Sequence, residues 1–314
     1  MTPLIHDIYT QEQVAGWGWM IAIFLWLAGI AGMGSVAYYW YRKASMAYTL
    51  LISIVLALIF VIADLTRPWN VPNAILTALV SGTYNWYSWM ALGIILLLIQ
   101  TLLLLIVSAN HVFKGRIRSL TLIAESKVYL IILGFFGFLV TIYSDFLISH
   151  ASGIPLWNTP AIPILWIFIA LICAVALIAI FVSASSEAVS EIKGAGVRIG
   201  FSMTIFEIFT ILAFLHTAFT TLYLYAAFTT GTVGISLSAE KILFGELSSI
   251  FWIGVIGLGG LYPALVGTYT ILTRKISRPL IISAAVLALI GALLLKYVIV
   301  VGGVYEPLST SAFT

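Results

Sequence analysis

The sequence predicts an all-α integral membrane protein with eight transmembrane helices, and two observations support this fold class. The first is composition, because 62% of the 314 residues are hydrophobic and only 8% are charged, about a third of the charged fraction of a soluble domain. The second is a set of eight apolar runs, each able to supply the roughly 20 residues that a helix needs to cross a bilayer. These runs cover residues 17–41, 46–64, 86–109, 127–149, 161–184, 199–229, 246–273 and 279–302. Because the runs are continuous and do not alternate at every second residue, they favour helices over the strands of a membrane barrel.

The distribution of Lys and Arg predicts the orientation of these helices. An even number of spans places both termini on one side of the membrane. The loops on the other side hold the basic residues Arg42, Lys43, Lys114, Arg116, Arg118, Lys127, Lys193, Arg198, Arg274, Lys275 and Arg278. The side of the termini holds only Arg67 and Lys241, and Lys296 lies inside the last run. By the positive-inside rule the basic side is cytoplasmic, so both termini are expected on the extracytoplasmic side. The membrane is expected to be the inner or plasma membrane of a prokaryote.

The chain is expected to divide into two four-helix bundles, residues 1–155 and residues 156–314. The clearest punctuation between the fourth and fifth runs is the segment 154–160, in which Pro155 and Pro160 flank a Trp-Asn pair. Cys173 is the single cysteine, which excludes a disulfide within the chain and a metal cluster held by its cysteines. Because topology explains the basic residues, nothing in the sequence supports nucleic-acid binding.

Polar and aromatic residues gather at the membrane face on which the termini lie. Following the chain through the predicted spans places ten candidates there: Trp17, Trp19, Asp64, Arg67, Trp86, Ser88, Trp89, Tyr143, Asp145 and His150. Those from Tyr143 to His150 cover about 10 Å of depth in the outer third of the fourth span. The opposite ends of the helices are merely basic in sequence, so we expect the functional site at the face of the termini.

This set of side chains is suited to a quinone such as a menaquinone. A quinone needs a flat apolar slot for its ring, hydrogen-bond partners at two carbonyl oxygens, and a group that exchanges protons near them. Asp145 is the strongest candidate for that group, because an ionisable residue inside an apolar span is costly and indicates function by default. Tyr143 and His150 are further candidates, against the alternatives of an aromatic at the headgroups and a surface histidine. Asp64 and Arg67 are most simply interpreted as an interfacial ion pair.

Three ionisable residues of the second half offer a possible proton path. Glu207 and His216 lie in the sixth run, and Lys296 lies in the eighth. A nine-residue offset puts Glu207 and His216 on opposite faces of one helix, so both cannot point at one path. The alternatives are a buried ion pair between Lys296 and a carboxylate, a lysine that extends to the interface, and a histidine bonded to a neighbouring helix.

Several segments carry motifs that occur together in one known family. They are the Trp-rich, Gly-containing first helix at 17–29, the Asp-Leu-x-Arg-Pro turn at 64–68, the Ser/Trp-rich start of the third helix at 84–89, and the pair at 143–147 and 155–160 that is similar to Tyr-Thr-Gly-x-Leu and Pro-x-Trp-Asn-x-Pro. In this order and spacing they resemble the NrfD/PsrC-like family, the membrane subunits of polysulfide reductase and related complexes. The second half agrees mainly in helix count and in its Val301-Gly302-Gly303 close.

The resemblance implies two four-helix bundles with a quinol site in the first bundle near the outer face. It also implies an iron–sulfur subunit docked at that face, with a molybdenum- or tungsten-pterin catalytic subunit behind it. The Trp-rich, charge-poor outer loops suit such a covered surface or, alternatively, an aromatic belt at the headgroups. Tyr143 matches the tyrosine that family members use at the quinone. Gln11 and Gln13 stand near where some members have Asn and His, and Asp145 stands where Gly is common. The quinone is therefore held differently here, or Asp145 takes over the polar role.

The expected function is that of a membrane anchor and quinone-interacting subunit of a respiratory oxidoreductase, which passes electrons between the quinone pool and an iron–sulfur partner. The family name favours the sulfur or polysulfide type, and the protein alone is not expected to be a complete enzyme or to hold a metal. A secondary transporter with an intramembrane charged site is the alternative, although transporters favour broken helices and binding near the midplane. A haem-bearing anchor needs two histidines at matched depth. The four histidines, His6, His111, His150 and His216, provide no such pair, so no haem is expected.

Overall fold

The computed structural model describes residues 16–113, 116–184, 196–273 and 277–306, with the backbone alone described at 184 and at 196–203. The chain is built from helices. In order along the sequence they are α1 (Trp19–Tyr38), α2 (Ala44–Ala63), α3 (Val71–Val80), α4 (Trp89–Val112), α5 (Arg118–Ala124), α6 (Lys127–Ser149), α7 (Ala161–Ala184), α8 (Gly196–Thr230), α9 (Val233–Leu243), α10 (Ile250–Thr273) and α11 (Arg278–Gly302). Within the described ranges eight helices are long and apolar enough to cross a membrane, which confirms the predicted number of spans: α1, α2, α4, α6, α7, α8, α10 and α11.

The three short helices α3, α5 and α9 lie between spans and were not predicted. A 3-10 turn at Pro68–Asn70 leads into α3, and α3 has no buried residue. The first part of α10, Ile250–Leu261, is a wide π-helix, and the rest is α-helical. A search for long apolar runs misses the short helices because they are too short to be such runs. It misses the π-helix because that segment has the same apolar composition as an α-helical span.

Serine caps fix the starts of two spans that carry candidate residues. The Ser88 hydroxyl accepts a hydrogen bond from the backbone N–H of Ala91 at 3.4 Å, and α4 begins at the next residue. The Ser126 hydroxyl accepts one from the N–H of Tyr129 at 3.1 Å at the start of α6. Such caps satisfy backbone donors that the first turn of a helix leaves unpaired.

The spans contact one another in two closed circuits. In the first circuit α1 contacts α2, α2 contacts α4, α4 contacts α6, and α6 returns to α1. In the second, α7 contacts α8, α8 contacts α10, α10 contacts α11, and α11 returns to α7. The circuits meet where α1 contacts α7 and α11 and where α6 contacts α7, and one continuous apolar core runs through both.

Glycines allow close helix approach at two crossings. A Cβ added to Gly32 of α1 would meet the carbonyl oxygen of Gly137 on α6 at 2.6 Å, and Gly259 of α10 lies against Gly291 of α11. Small residues at such crossings let helix backbones approach in membranes. The α1–α6 crossing matters for function, because α6 carries Tyr143 and Asp145.

Candidate functional site

The two faces of the protein are named here by the direction in which the helices run. The terminal face is where α1 begins, α6 ends, α7 begins and α11 ends, and the loop face is the opposite one. At 1.5 Å of rise per residue, Asp145, Trp166 and Lys296 lie about 6–9 Å from the ends of α6, α7 and α11 at the terminal face. Three elements therefore bring these side chains to one level.

The last turns of α6 bury three consecutive side chains, Tyr143, Ser144 and Asp145. Consecutive residues of a helix point in directions about 100° apart, so α6 is enclosed on most sides at this level. The ring of Tyr143 lies against Gly93 of α4, where any side chain would overlap it. Among the described residues the Tyr143 hydroxyl has no hydrogen-bond partner, so it is free to bond a ligand.

The Asp145 carboxyl group is incompletely paired. Its Oδ1 accepts a hydrogen bond from the Ser144 hydroxyl at 3.2 Å, while the same hydroxyl donates to the carbonyl of Thr141 at 2.8 Å. Its Oδ2 is buried and has no partner in the part of the chain that the structure describes. Because buried polar atoms are nearly always hydrogen-bonded, an orphaned carboxylate oxygen in a span indicates a water, ligand or proton acting there.

Lys296 of α11 is the charge that faces Asp145. Its side chain is only 1% exposed, and its ammonium nitrogen lies 3.5 Å from the ring centroid of Trp166 on α7. Asp145 and Lys296 interact electrostatically, although within the described ranges no carboxylate oxygen lies within 4.0 Å of Lys296 Nζ. The lysine is therefore neither in a direct ion pair nor extended to the interface, the two alternatives considered from sequence. We call the group Tyr143, Ser144, Asp145, Trp166 and Lys296 the polar centre.

A cleft of about 350 Å³ opens at the terminal face beside the end of α6. The Trp89 ring stacks on the Phe146 ring with centroids 5.1 Å apart and planes 10° from parallel. Leu147, His150 and Ala151 line the cleft and follow Asp145 by two to six residues, so the cleft lies less than two helical turns from the polar centre. The residues that line this terminal-face cleft are Tyr87, Ser88, Trp89, Met90, Leu147, His150 and Ala151.

The other aromatic candidates lie around this cleft without forming one wall. Trp17 stacks on Trp157 at 5.4 Å in a second cleft, which shares Ala151 with the first. Trp19 stacks on Tyr297 of α11 at 3.6 Å, and Trp86 packs edge-on against Tyr84 while remaining 58% exposed. The structure thus brings Ser88, Trp89 and His150 together and leaves these three tryptophans outside the cleft.

Asp64 and Arg67 do not form the expected ion pair. Both side chains are exposed, and no nitrogen of Arg67 lies within 4.0 Å of an Asp64 oxygen. Partial burial still raises the pKa of the Asp64 carboxyl group above its ordinary value. Neither residue reaches the polar centre, so their candidacy as quinone contacts gains no geometric support.

The three described residues of the possible proton path in the second half, Glu207, His216 and Lys296, do not contact one another by hydrogen bonds. Glu207 is exposed on the surface of α8, whereas His216 is buried and bonded to Thr220 of the same helix at 3.3 Å. These two residues occupy different faces of α8, as their spacing predicts. Among the described residues no hydrogen bond joins either of them to Lys296.

A polar pocket at the loop face was missed from the sequence, where this end was interpreted as merely basic. The Tyr38 hydroxyl and His111 Nε2 are 2.6 Å apart, the Thr121 hydroxyl donates to Asn110 at 2.9 Å, and Asn110 lies 3.5 Å from Glu125. A cavity of about 220 Å³ is lined by Tyr38, Asn110, His111 and Glu125 together with Arg42. The signal that could have found this loop-face pocket is the coincidence of Tyr38 and His111 at the same ends of α1 and α4.

Comparison with known proteins identifies the family of this chain. The family model described as "Polysulphide reductase, NrfD" matches residues 8–306. The chain belongs to this family. Over 331 residues it is 26% identical to protein NrfD of Escherichia coli (strain K12), a match that covers 91% of this chain and 94% of that protein. It is also 26% identical to the C chain of the polysulfide reductase of Wolinella succinogenes, across 93% of the present sequence and 96% of the relative.

Membership of the NrfD family confirms the resemblance drawn from the motifs of the first half. Together with the eight spans it establishes a multi-pass membrane protein. The matched segment includes every candidate residue at both faces. Gln11 and Gln13, which the resemblance compares with an early Asn and His of some family members, lie outside the described residues.

Proposed function

We propose that this NrfD-family protein is the membrane-anchor and quinone-interacting subunit of a respiratory oxidoreductase complex. It passes electrons between the quinone pool and an extracytoplasmic iron–sulfur subunit. The observation that carries the proposal is the position of the incompletely paired polar centre less than two turns below an aromatic cleft that opens at the terminal face. The two circuits of contacting helices correspond in this proposal to two four-helix bundles, divided near residue 155, with both termini outside the cytoplasm.

The residues present fit a quinone headgroup. Trp89, held by its stack on Phe146, offers aromatic surface for the ring, and Ser88 and His150 can hydrogen-bond its oxygens. The bound quinone supplies two-electron, two-proton chemistry. Tyr143 orients a carbonyl oxygen by donating its free hydroxyl. The orphaned Oδ2 of Asp145 accepts or returns a proton, and general acid–base groups of this kind typically contribute about 10²- to 10⁴-fold to rate.

Lys296 adjusts the charge of the site in this proposal. A carboxylate in a span is costly to keep without a counter-charge. Lys296 supplies that charge from across the boundary between the two helix circuits, and the Trp166 ring holds its ammonium group by a cation–π interaction. Since Lys296 forms no direct ion pair with Asp145, Oδ2 remains open to a proton or a ligand.

Partner docking is supported by exposed apolar side chains at the terminal face. Trp69, Val80 and Tyr87 are 82%, 89% and 97% exposed, and α3 contacts no span extensively. Clustered exposed aromatic and aliphatic residues mark interaction surfaces. We propose that an iron–sulfur subunit covers this surface and that a molybdenum- or tungsten-pterin catalytic subunit lies behind it. The name of the Wolinella relative favours a complex of the sulfur or polysulfide reductase type.

The proposal is tested by equilibrium binding of a water-soluble menaquinone analogue to the full-length protein in nanodiscs. Replacing Trp89 by Leu removes the stacking surface and is expected to weaken binding about tenfold, since an aromatic pair contributes up to about 1.5 kcal/mol beyond its buried area. The matched control is Trp69→Leu, which changes an exposed tryptophan outside the cleft and should leave the affinity unchanged. Equal affinities for the two variants, or headgroup density elsewhere in a cryo-EM map, would exclude the site.

A further inference from the structure

The two helix circuits leave an apolar groove between them in the half of the membrane nearer the loop face. Its volume is about 400 Å³, and small-ligand pockets typically measure about 300–1,000 Å³. The base of the groove is α7 and its sides are α1 and α8, because α7 packs against both helices while α1 and α8 make no extensive contact with each other in the described ranges. We call it the inter-circuit groove, and its lining includes Met33, Ala37, Ala174, Val175, Ile205 and Ile208.

Small side chains and an opening to the membrane shape the inter-circuit groove. Ala37 of α1 and Ala174 of α7 contribute only methyl groups to its wall. Trp40 and Ile208 also line it and are 67% and 44% exposed, so the groove is open to the surrounding bilayer. Its lining along α1 and the turn that follows runs from Met33 to Trp40, which is about 10 Å of depth from the loop face. The groove shares no lining residue with the terminal-face cleft or the loop-face pocket, so neither of those sites accounts for it.

Charge at the loop face indicates which membrane component suits this groove. Apolar shape alone selects no occupant, because lipid tails are as apolar as the groove and gain no hydrophobic free energy by entering it. Glu207 lies within α8 and is turned about 100° from Ile208 about the helix axis. The described loops and helix ends of the loop face hold one acid, Glu125, and six basic residues: Arg42, Lys43, Arg116, Arg118, Lys127 and Arg278. This face is therefore complementary to an anionic headgroup.

Lys43 is a basic residue close to the loop-face end of the groove. It follows Trp40 by three residues, a chain distance of at most about 11 Å. Its side chain is exposed and has no hydrogen-bond or carboxylate partner within the described ranges. Arg42 instead lines the loop-face pocket, and its Nε donates to the carbonyl oxygen of Tyr39 at 3.0 Å. Trp40 adds an indole N–H donor, and tryptophan is enriched at the headgroup level of membrane helices.

We propose that the inter-circuit groove binds one acyl chain of an anionic phospholipid from the leaflet at the loop face, and that Lys43 and the Trp40 indole N–H hold the headgroup phosphate. The acyl chain fills the gap over α7 and so joins α1 of the first circuit to α8 of the second. A lipid that binds the folded protein alone stabilises it by mass action. The site is separate from the proposed quinone site, so its test requires no quinone.

The test measures phospholipid bound to the full-length protein in detergent micelles by native mass spectrometry, with phosphatidylglycerol as the anionic probe and phosphatidylcholine as the neutral one. Wild type is expected to bind one phosphatidylglycerol about fivefold more tightly than phosphatidylcholine, since one basic residue near a membrane surface contributes about that factor. Val175→Phe places a ring in the groove and should weaken phosphatidylglycerol binding at least about tenfold, because a lipid then overpacks the site. The matched control Val286→Phe changes a 40% exposed valine of α11 outside the groove and should bind as wild type does. Equal binding by the two phenylalanine variants would overturn the site.

A second pair of variants tests the headgroup contact and does not depend on filling the groove. Lys43→Gln is expected to weaken phosphatidylglycerol binding about fivefold and to leave phosphatidylcholine binding unchanged. Lys127→Gln is the matched control, because it removes an exposed lysine at the same face on α6, and it should change neither. Equal effects of the two lysine variants, or equal affinities of wild type for the two lipids, would contradict an anionic ligand.

Thermal unfolding separates loss of the site from loss of the fold. Without phosphatidylglycerol, Val175→Phe should unfold at the temperature of wild type. When the lipid is added, wild type and Val286→Phe should gain stability and Val175→Phe should not. The same mass spectra report the oligomeric state, and a homodimer that Val175→Phe separates would mean that a second copy of the chain occupies the groove, which would also overturn the proposal.

Discussion

The two halves of the protein share local hydrogen bonds within helices and differ in the side-chain pairs that join one helix to another. In the second half, buried hydroxyls bond the carbonyl four residues earlier in their own helix: Thr210 to Phe206, Thr217 to Ala213, Ser238 to Gly234 and Thr270 to Val266, at 2.6–2.8 Å. The first half has the same local bonds, from Ser35 to Ala31 and from Thr141 to Gly137. The second half joins helices through a hydroxyl pair, Tyr262 and Ser283, whereas the first half does so through an amide and an imidazole. Gln100 bonds Ser35, and Tyr38 bonds His111. A hydrogen bond within one helix costs that helix little and does not link it to a neighbouring helix. A bond between helices joins residues of two spans.

The same contrast holds for the acidic residues inside spans. Glu207 in the second half is exposed on the surface of α8, while Asp145 in the first half is buried with an orphaned oxygen. Both are carboxylates in apolar runs, so the presence of charge in a span does not by itself identify function. What distinguishes the two residues is the helix face on which each carboxylate lies, exposed for Glu207 and buried for Asp145. Among the described residues of the second half, Lys296 is a buried ammonium group, and it interacts electrostatically with Asp145 of the first half.

The largest expected effect follows from removing that coupling charge. Lys296→Met leaves the buried Asp145 without its counter-charge and is expected to lower the free energy of unfolding by about 3–5 kcal/mol. The double variant Asp145→Asn with Lys296→Met should recover most of this loss, because neither charge then remains. Reversible unfolding in mixed micelles measures all three proteins.

A partly buried lysine whose partner is exposed provides the control for this experiment. Lys241 is 17% exposed and forms an ion pair with Glu246 at 2.9 Å, while the glutamate side chain is 68% exposed. Water can therefore solvate the glutamate carboxylate when the lysine is removed. Lys241→Met should therefore cost only about 0–1 kcal/mol. If both lysine variants lose the same stability, or the double variant is the least stable of the series, Lys296 is not the partner of Asp145.

The comparison of the two carboxylates gives the second prediction. Asp145→Asn is expected to lower kcat for quinol oxidation by the intact complex at least about 100-fold, because it removes the proton acceptor. Glu207→Gln should change kcat less than about twofold, because its side chain is exposed on α8 and outside the polar centre. Steady-state turnover in membranes with an artificial electron acceptor measures both. Normal turnover and an unaltered pH profile in Asp145→Asn would rule out its role.

The spans were predictable because each is a long apolar run, and the structure keeps their bounds within about five residues of the predicted ones. The candidate residues Ser88, Trp89 and His150 were predictable as a group because the direction of each span alone assigns its ends to one face. The helix α3 could not be found in this way, since its ten residues do not make a transmembrane run.

The connections between sites could not be predicted because they depend on rotation about helix axes. Spacing shows that Glu207 and His216 lie on opposite faces, but it cannot show which face meets a neighbouring helix. The approach of Lys296 to Asp145 and the bond between Gln100 and Ser35 each join distant spans. In the opposite direction, Asp64 and Arg67 are neighbours in sequence but remain unpaired in the fold, because both side chains are exposed and free to point apart.

The third prediction, with a smaller expected effect, concerns the packing of the Tyr143 ring against Gly93 in the first half. Gly93→Ala places a methyl group into the Tyr143 ring, and overpacking of this kind typically costs about 1–3 kcal/mol. We expect a lower unfolding temperature and reduced quinol turnover, because the Tyr143 hydroxyl must move. Gly29→Ala is the matched control, since its added Cβ meets the Cβ of Ala170 at 3.5 Å, an ordinary contact. Indistinguishable thermal stability and turnover for the two variants would show that the Tyr143 ring adapts freely.

The smallest expected effect concerns Asp64 and Arg67 at the terminal face. A double-mutant cycle with Asp64→Asn and Arg67→Gln should give a coupling free energy below about 0.5 kcal/mol, because the two exposed side chains form no ion pair. The raised pKa of Asp64 sets the sign of its pH dependence. An acid that binds its proton more tightly in the folded state favours folding below its unfolded pKa and loses that contribution as pH rises through the folded pKa. Asp64→Asn should therefore be neutral or slightly stabilising at about pH 7 relative to wild type, and less so at about pH 4. A destabilised Asp64→Asn near neutral pH, or strong coupling to Arg67, would place a functional charge pair at the edge of the membrane after all and extend the site beyond the terminal-face cleft.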